Sequence, residues 1–489
     1  MFSERYGQLR TLRASVARET PSEVSEHVLQ CIWYDQLIRD DALTTEDGRS
    51  LKVVSPGWWN HGEGPDFKGA QIEFNGRLRT GDVEIHLKHA GWRQHGHQMD
   101  SRYDDVILHV VLDSDPPAVA PTTSLGRPVP SLLLSNYLEG DIQALAGELS
   151  LEEYPHRVEG TYGHCAGLAE TYGSERLTEL LHLAGEWRML FKARTMRERM
   201  ERIGEDQAVY EALLYACGFA HFKHHFKVVA RQLPFERAAQ LARQDALLLE
   251  AALLQISGLL PAKLPEGADA VPHFARLRGL RNAQLEGLRP LPLEWRRVGV
   301  RPINYPERRI AGVSRFIARV AAKGLTQTLN DLWAADLSPI KRRRSFEEMF
   351  PTAMGFWATH CTWTGKRMKN SAAPIGPGRV RSIIGNVIVP AALAGARKKR
   401  DRVMEERVLA FFAALPKEPE NKIQRTMLPR IFGAAKPPRL DFRTQQGLLQ
   451  MYTDWCEPNP SCRNCSILRH LGTALPDSTS PASASAVQD

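Results

Sequence analysis

The sequence predicts an α+β protein in which a mixed sheet near the N-terminus precedes a mostly helical remainder. Period-two alternation of apolar residues and the Asn75-Gly76 turn indicate strands within residues 51–112. Beyond about residue 140 apolar residues recur at helical spacing, and breakers such as Leu260-Pro261 separate the segments. Two kinds of periodicity in successive parts of one chain are typical of the α+β class.

The N-terminal elements are predicted in the order helix, three strands, connecting segment and strand. Ser22 or Ser25 caps the helix, which ends near Arg39. Strands are expected at 51–54, 70–74, 77–87, 106–112 and 129–134. The segment 90–103 between the third and fourth of these strands is polar, and we expect it to be irregular or briefly helical.

The helical remainder is predicted to include helices at 174–203, 206–217 and 235–257. Residues 296–310 are rich in Arg and Pro and predict an extended connection. We therefore expect five segments: a basic leader at 1–21, an α/β core at 22–140, a helical domain at 141–295, a second helical region with a cysteine cluster at 296–475, and a disordered tail at 476–489.

Bulk composition narrows the functional class only slightly. The chain has 489 residues, 43% hydrophobic and 25% charged, which is ordinary globular composition. A formal net charge of +8 permits contact with nucleic acid. No apolar stretch is long enough for an export signal or a membrane span, so we expect a cytoplasmic protein without a membrane partner. Nothing in the sequence specifies the oligomeric state.

A pair of acidic residues predicts a metal site in the N-terminal core. Asp66 follows Pro65, and Glu84 lies 18 residues later on the partner strand of the Asn75-Gly76 hairpin. The hairpin can bring both carboxylates to one edge of the sheet, where they would bind Mg²⁺ or Mn²⁺. His86 shares a strand face with Glu84 and is a third ligand or polarises the attacking water. Glu26 on the first helix is a further candidate carboxylate.

These residues resemble the core of the PD-(D/E)XK nucleases. Pro65-Asp66 matches the Pro-Asp element, and Glu84-Ile85-His86 matches the Glu-X-Lys element in position. The resemblance covers roughly residues 22–113. It implies a restriction-endonuclease-like mixed sheet and a metal-dependent endonuclease or exonuclease. His86 replaces the lysine that orients water in that family, and Lys88 on the same strand face is an alternative.

A broader resemblance covers most of the chain. The residues that carry it run from Gly64-Pro65-Asp66-Phe67 through Val83-Glu84-Ile85-His86 to the strand at 106–111. They also include Arg301-Pro302-Ile303-Asn304-Tyr305-Pro306 and the C-terminal cysteine cluster. In these segments the chain is similar to a bacterial family catalogued as domain of unknown function 2851. This resemblance implies a fold shared along the chain and brings no assigned activity.

The histidines of the core allow a different interpretation. His95, His97 and Asp100, joined by His86 or His109, have ligand types suited to Zn²⁺ or Fe²⁺, which would indicate a hydrolase of a small molecule. His95, His97 and Tyr103 are alternatively packing and capping groups, or loop residues that contact substrate. His109, on a strand of buried character, is expected to be a core histidine.

The C-terminal cysteines predict a second metal site. Cys456, Cys462 and Cys465 have a spacing that can bind Zn²⁺ or an iron–sulfur cluster. The segment resembles the cysteine loop of helix-hairpin-helix DNA glycosylases of the endonuclease III type, without its fourth cysteine. His470 or Cys361 would supply a fourth ligand, or the cysteines are the remnant of a lost cluster.

Basic residues in the helical part are candidates for nucleic-acid contact. Lys223 lies in a basic and aromatic segment, and Arg301, Arg308 and Arg309 flank a Pro-rich turn. Each group equally suits a structural role, as a helix junction or a bridge to acidic groups. The leading hypothesis is a metal-dependent nuclease. The alternatives are a nucleic-acid-binding protein on a degenerate nuclease core and a Zn or Fe hydrolase.

Overall fold

A computed structural model describes most of the chain. The described residues are 6–8, 10, 24–39, 42–60, 63–114, 120–142, 145–146, 149, 165, 167–264, 269–280, 285–419, 421–433, 435, 437, 439–456 and 467. They form two compact units. The first comprises Met1–Glu23, Arg157–Arg188 and Glu420–Asp489, and the second comprises Val24–His156 and Met189–Pro419. The predicted tail at 476–489 lies outside the described residues, and the predicted five-segment division stays a prediction.

The second unit contains a seven-stranded mixed sheet. Its strands are β1 (Leu43–Thr44), β2 (Ser50–Ser55), β3 (Trp58–Trp59), β4 (Phe67–Phe74), β5 (Arg77–Lys88), β6 (Val106–Asp113) and β7 (Ser131–Leu133). The strand order is β1-β2-β4-β5-β6-β7, and β3 pairs with β4. Pairing is antiparallel from β1 to β5 and parallel from β5 to β7. The predicted mixed sheet is therefore confirmed, with β1 and β3 in addition.

The β4–β5 hairpin turns at Asn75 and Gly76, which have φ angles of 47° and 76°. Both residue types tolerate positive φ, and this turn suits the twist of a two-residue hairpin. Further along the hairpin, a β-bulge lies between Phe67 and Ala70. Gly69 within the bulge has a φ of 65°, a conformation that costs a residue with a Cβ more than it costs glycine. The bulge sets the register at the end of β4 where Asp66 lies.

Helix α1 (Glu26–Tyr34) packs on β5. Ser25, one of the two predicted caps, accepts a hydrogen bond from the Val28 amide at 3.3 Å. Val28, Leu29 and Ile32 are among its buried residues, as their helical spacing predicts. Glu26 therefore lies in the first turn of a helix whose axis is fixed against the central strand.

Helix α2 (Ala90–Gln94) and single 3₁₀ turns at His97–Met99 and Ser101–Tyr103 connect β5 to β6. Because β5 and β6 are parallel neighbours, the chain must cross over between them, and this segment makes that connection. Helices after the sheet are α3 (Leu168–Tyr172), α4 (Ser174–Ile203), α5 (Glu205–Cys217), α6 (Phe219–Gln232), α7 (Phe235–Gln244), α8 (Ala246–Ile256) and α9 (Val271–Gly279). They are followed by α10 (Pro306–Val320), α11 (Leu325–Ala334), α12 (Pro339–Glu348), α13 (Phe356–Thr359), α14 (Pro377–Ile383), α15 (Val389–Lys399), α16 (Arg402–Ala413), α17 (Lys422–Phe432) and α18 (Phe442–Met451).

The α+β prediction is confirmed, because the strands of the described chain lie between residues 43 and 133 and the later elements are helical. The single helix predicted at 235–257 is wrong in one respect. Asp245 interrupts it and accepts a hydrogen bond from the Leu247 amide at 2.8 Å, so it caps a new helix. Among the described residues, no helix is both long enough and apolar enough to cross a bilayer.

Candidate metal centre

Strand β5 brings Glu84 and His86 to the same face of the sheet. The two residues are 6% and 1% exposed, respectively. Both are buried because β5 has neighbours on either side and is covered by α1 and α2 on this face. The imidazole Nε2 of His86 lies 3.6 Å from Glu84 Oε1. The strand face predicted for these residues is therefore present and points into the protein.

Asp66 and Glu84 are held together across the hairpin by backbone hydrogen bonds. The Asp66 amide donates to Glu84 Oε2 at 3.0 Å, and the Ile85 amide donates to Asp66 Oδ2 at 3.0 Å. Gln30 Nε2 donates to Asp66 Oδ1 at 2.7 Å. Burial raises the pKa of Asp66 well above its usual range, and the Glu84 charge raises it further. The two carboxylates predicted to converge do so in the structure.

Glu26 adds a third carboxylate to the same place. Its side chain accepts a hydrogen bond from the Leu87 backbone, and burial raises its pKa. Burial also raises the pKa of Glu84 to about 8, and the Glu26 charge adds to that shift. The raised pKa values mean that the charged forms of these three acidic groups are disfavoured, and a bound cation would stabilise those forms.

Three histidines close the site. His86 Nε2 lies 3.0 Å from His95 Nδ1, and His97 Nε2 lies 3.2 Å from Glu84 Oε1. One ring nitrogen from each of His86, His95 and His97 falls within 4.8 Å of the others. Burial lowers the pKa of His86 to about 2 and that of His97 to about 4. The imidazoles of His86 and His97 are therefore neutral at pH 7, which is the form that coordinates metals.

Further residues hold the histidine rings in place. His109, fully buried on β6, lies with its Nε2 2.9 Å from His86 Nδ1, on the side away from Glu84. Tyr103 stacks on the His97 ring with centroids 3.7 Å apart. Gly91 on α2 packs against His86, and a Cβ there would lie 2.6 Å from His86 Cδ2. The orientation of His86 therefore depends on both a ring partner and a missing side chain.

A model of a family described as protein of unknown function (DUF2851) matches residues 26–421. The chain belongs to this family. The match begins at Glu26 and includes every carboxylate and histidine of the site. No curated protein and no solved structure matches the chain. The predicted membership of DUF2851 is thus confirmed, while the nuclease resemblance stays a prediction.

Two of the predicted residues of this DUF2851 protein lie apart from the centre. Asp100 binds Arg102 through two oxygens, and hydrogen bonds from Arg102 lower its pKa to about 2. It is therefore outside the group of three histidines that the structure brings together. Lys88 is exposed two residues beyond His86, so it does not occupy the place of a lysine beside Glu84.

The residues predicted to contact nucleic acid have different surroundings in the structure. Arg308 is fully buried and donates to the carbonyl oxygens of Trp357, His360, Ala372 and Ala373. Buried Arg309 donates to Pro374 O at 3.2 Å, and its Nη2 donates to Asn304 Oδ1. Lys223 is buried 5.0 Å from the Tyr215 ring centroid. Arg301 is exposed. The burial of Arg308 and Arg309 weighs against direct phosphate contact, because both guanidinium groups already donate hydrogen bonds to backbone carbonyl oxygens.

The predicted C-terminal metal site is largely beyond what the structure describes. Cys462, Cys465 and His470 lie outside the described residues, and Cys456 ends a π-helical turn at Tyr452–Cys456. Cys361 Sγ lies 3.4 Å from Met368 Sδ. A Zn²⁺ ion or an iron–sulfur cluster at these cysteines stays a prediction.

The donor set of the centre fits a transition metal. His97 Nε2 is buried without a hydrogen-bond partner, although it lies 3.2 Å from Glu84 Oε1. An orphaned imidazole nitrogen beside a carboxylate is explained if both groups coordinate a cation. The His109 contact to His86 has the form of an outer-shell hydrogen bond that orients a ligand. His109 is fully buried, as expected of a core histidine. Sequence reasoning missed the parts played by Gln30 and Gly91, for which no local pattern carried a signal.

Proposed function

We propose that this protein is a metal-dependent hydrolase that cleaves phosphodiester bonds in nucleic acid. Its metal would be held by His86, His95, His97 and Glu84. The observation that carries the proposal is the convergence of three histidine nitrogens within 4.8 Å, with Glu84 Oε1 3.2 Å from His97 Nε2. Imidazole and carboxylate are the ligand types that catalytic zinc and iron sites use.

The ligand types distinguish between metals. Imidazole nitrogen suits Zn²⁺ and Fe²⁺, whereas Mg²⁺ prefers oxygen ligands and waters. The predicted Mg²⁺ or Mn²⁺ site on Asp66 and Glu84 therefore becomes, in this proposal, a centre on Glu84 and three histidines that takes Zn²⁺, Fe²⁺ or Mn²⁺. Asp66 is a positioning residue here, since both of its oxygens already accept hydrogen bonds from Gln30 and Ile85.

Protein groups around the centre have separate tasks. A bound divalent metal polarises a phosphoryl oxygen and lowers the pKa of its water. The half-buried Glu26 carboxylate, whose pKa is raised by burial, would serve as a proton acceptor beside such a metal. His109 and Gly91 hold the His86 ring, and Tyr103 holds the His97 ring. Lys88 on the exposed end of the same strand face can contact the substrate phosphate.

The phosphodiester part of the proposal is supported by topology and charge. An acidic residue on α1, an Asp66–Glu84 pair on a β4–β5 hairpin, a crossover through α2 and a parallel β6 follow the element order of the PD-(D/E)XK core. The net charge of +8 favours a polyanionic substrate. These observations support a nuclease without defining strandedness, because exposed contacts to bases depend on a bound polymer.

The experiment is an assay of the full chain after chelation and addition of Mg²⁺, Mn²⁺, Fe²⁺ or Zn²⁺. Substrates are end-labelled single- and double-stranded DNA and RNA. We expect cleavage with at least one metal that disappears in Glu84→Gln and in His95→Ala. Metal content is measured on the same samples by elemental analysis and should fall with activity in both variants.

Asp82→Asn provides the matched control, because Asp82 is a half-buried carboxylate on β5 that binds the Gly69 amide at 3.0 Å. It should retain both metal and cleavage. Cleavage that survives Glu84→Gln unchanged, or that persists without any metal, is incompatible with the proposed centre.

A Zn or Fe hydrolase of a small molecule is the second candidate, and the nitrogen-rich ligand set favours it. Stoichiometric metal that is lost in His95→Ala, together with no affinity for DNA or RNA, would select this alternative. Binding of nucleic acid without cleavage in any metal would instead select a non-catalytic protein on a degenerate nuclease core, for which His86 in place of lysine is the supporting observation.

A further inference from the structure

A cavity of about 240 Å³ lies among the helices of the second unit. It is bounded by the junction of α4 and α5, by α11 and α15, and by the start of α16. Its lining residues lie between Met200 and Met404, so all of them belong to this unit. Two of them, Gln327 and Lys399, are exposed, and the cavity therefore reaches the surface. Because an apolar cavity of about 150 Å³ holds benzene, this volume suits a substituted aromatic ring.

The floor of the cavity is apolar and consists mainly of one face of α15 with the end of the π-helical turn Ile384–Ile388. Ile388, Ala392, Gly395 and Ala396 follow one another at helical spacing on this face. Larger apolar side chains complete the floor: Met200, Leu329, Trp333 and Met404. The small residues of α15 leave the space that makes up the cavity.

Gly395 has no packing partner that would require a glycine. A Cβ at this position would meet no heavy atom of the described residues within 4 Å. The φ angle of Gly395 is not positive, so the backbone does not require glycine either. Glycine inside a helix is destabilising relative to alanine, because it loses more conformational freedom on folding. The chain thus keeps an unfavourable helix residue at a place where a side chain would enter the cavity.

Trp333 contributes a hydrogen-bond donor without an acceptor. Its side chain is 1% exposed and packs on the rings of Phe346 and Phe411, with centroids 5.0 Å apart in both cases. The indole Nε1 is buried and has no hydrogen-bond partner among the described residues. Buried donors in folded proteins are nearly always paired. Since Trp333 lines the cavity, an acceptor on a bound molecule would satisfy this donor.

Asn330 lies three residues before Trp333 on α11, so the two side chains share a face of that helix. It is half-buried, and its side-chain amide makes no hydrogen bond with the described residues. A carboxamide can donate two hydrogen bonds. The α11 wall therefore presents two donors to the cavity, the Trp333 indole and the Asn330 amide.

The charged residues of the lining do not favour an ion. Glu205 Oε1 lies 2.9 Å from Lys398 Nζ. Asp331 Oδ2 lies 2.8 Å from Lys323 Nζ. The other charged residues of the lining are Lys399 and Asp401, which have opposite signs. Because the charges of both signs balance, the lining gives neither a cation nor an anion an electrostatic advantage.

The geometry points to a binding site for a small uncharged molecule that has an aromatic ring and a carbonyl oxygen. The ring would lie on the apolar face of α15 at Gly395, and the carbonyl oxygen would accept hydrogen bonds from Trp333 and Asn330. Burial of the ring supplies affinity, and the two donors select for the carbonyl group. This inference does not rest on the proposed function, because none of the lining residues belongs to the metal centre.

The test is ligand-observed ¹⁹F NMR titration of the full chain with four related probes. They are para-fluoroacetophenone, which is uncharged and has a carbonyl group, fluorobenzene, which lacks the acceptor, para-fluorobenzoate, which is an anion, and para-fluorobenzylammonium, which is a cation. We expect para-fluoroacetophenone to bind with a Kd below about 1 mM. The other three probes should bind at least about fivefold more weakly.

Two variants test the two halves of the site. Gly395→Leu fills the cavity from its floor, so binding of para-fluoroacetophenone should weaken at least about tenfold. Its Tm should be unchanged or higher, because leucine is a better helix former than glycine. Trp333→Phe removes the indole donor and keeps an aromatic ring. It should abolish the preference for para-fluoroacetophenone over fluorobenzene.

Gly378→Leu is the matched control, since Gly378 is a helical glycine with open space at its Cβ position and is not part of the lining. It should bind para-fluoroacetophenone like wild type. The inference is overturned if para-fluoroacetophenone does not bind, if a charged probe binds as tightly, or if Gly395→Leu is folded and binds like wild type. An equal loss of binding in Gly378→Leu would also contradict it. Metal content of the cavity variants is expected to match wild type, which separates this result from a failure of the metal centre.

Discussion

Asp66 and Glu84 are each tied to the other's strand: the Asp66 amide donates to Glu84 Oε2, and the amide next to Glu84, that of Ile85, donates to Asp66 Oδ2, both at 3.0 Å. The arrangement fixes two carboxylates side by side while satisfying two backbone donors at the bulged end of the hairpin. It also means that the acidic groups are held by the fold before any cation arrives, which is the preorganisation that a tight metal site requires.

Glu26→Gln should make the metal-free protein more stable. The glutamine oxygen can still accept the hydrogen bond from Leu87, and the substitution removes a half-buried carboxylate whose charge raises the pKa of Asp66 and of Glu84. We expect a gain of about 1 kcal/mol in chelator. Thermal unfolding with and without added metal measures it, and the gain should shrink or reverse with metal. Glu73→Gln on β4 serves as a control, and a loss of stability in chelator for Glu26→Gln alone would contradict the carboxylate repulsion.

Gly91→Ala should displace His86. The added methyl would lie 2.6 Å from His86 Cδ2, closer than real side chains approach, so the ring or α2 must move. We expect a stability loss of about 1–3 kcal/mol, as for other overpacked sites, together with loss of bound metal. Urea unfolding and elemental analysis give the two readouts. Gly287→Ala, at an exposed glycine with open space around it, should change neither. Retention of full metal content in Gly91→Ala would show that His86 is not a ligand.

Glu139→Gln should lower the free energy of unfolding at neutral pH. It should also make that free energy depend less on pH in the acid range. Burial disfavours the Glu139 carboxylate, but the charges of Lys227, Arg231 and Arg199 outweigh burial and lower its pKa from 4.5 to about 2. A lowered folded pKa stabilises the protein above about pH 4.5, and this contribution is lost as the pH falls towards 2. We expect a loss of about 3 kcal/mol at pH 7, because Lys227 also loses its buried counter-charge.

Chemical denaturation between pH 7 and pH 3 measures this effect. The difference between wild type and Glu139→Gln should be constant near pH 7 and narrow below pH 4.5. Glu294→Gln removes a surface pair with Arg296 and should cost less than about 0.5 kcal/mol. Equal stability of Glu139→Gln and wild type at pH 7 would contradict the assigned pKa shift.

Variants of Arg308 and Arg301 should distinguish a structural role from a role in contacting nucleic acid. Arg308→Met leaves four backbone carbonyls without their donor in a buried place, so we expect a loss above about 3 kcal/mol in urea unfolding. Arg301→Ala should leave stability unchanged. It should also reduce the slope of log K against log salt for nucleic-acid binding by about one, measured by fluorescence anisotropy. A stable Arg308→Met variant with weakened binding would restore Arg308 as a phosphate contact.

The pairing of Asp66 with Glu84 could be predicted from sequence only in part. The Asn75-Gly76 turn sets Phe74 opposite Arg77, and counting back along an unbroken hairpin places Asp66 opposite Ile85, with Glu84 on the other face. The bulge between Phe67 and Ala70 shifts the register by one residue, so that Phe67 pairs with Val83 and Asp66 lies opposite Glu84. The expectation that the two carboxylates meet was right, but it depended on a bulge that the alternation pattern did not reveal.

The remaining parts of the site depend on contacts that no local pattern encodes. His95 and His97 come from the short α2 connection, and Gly96 with a φ of 76° turns the chain between them. The burial of Arg308 could not be predicted from the sequence either, because its four carbonyl partners come from residues about 50 to 65 positions away. Local periodicity predicted the sheet and most helices. Tertiary packing, in contrast, decided which charged residues stay exposed and which donate hydrogen bonds to buried backbone carbonyls.

Because His86 contacts both His95 and His109, the proton positions on the three rings are coupled to one another. Each N···N contact, at 3.0 Å and 2.9 Å, needs one protonated and one bare nitrogen, and a neutral imidazole has one of each. If His86 carries its proton on Nδ1, it donates to His109 and accepts from His95; if it carries the proton on Nε2, both directions reverse. A metal bound at His86 Nε2 leaves only Nδ1 protonated. Occupation of the centre is therefore readable at His109, one ring away from the metal, as a fixed ¹⁵N chemical-shift pattern.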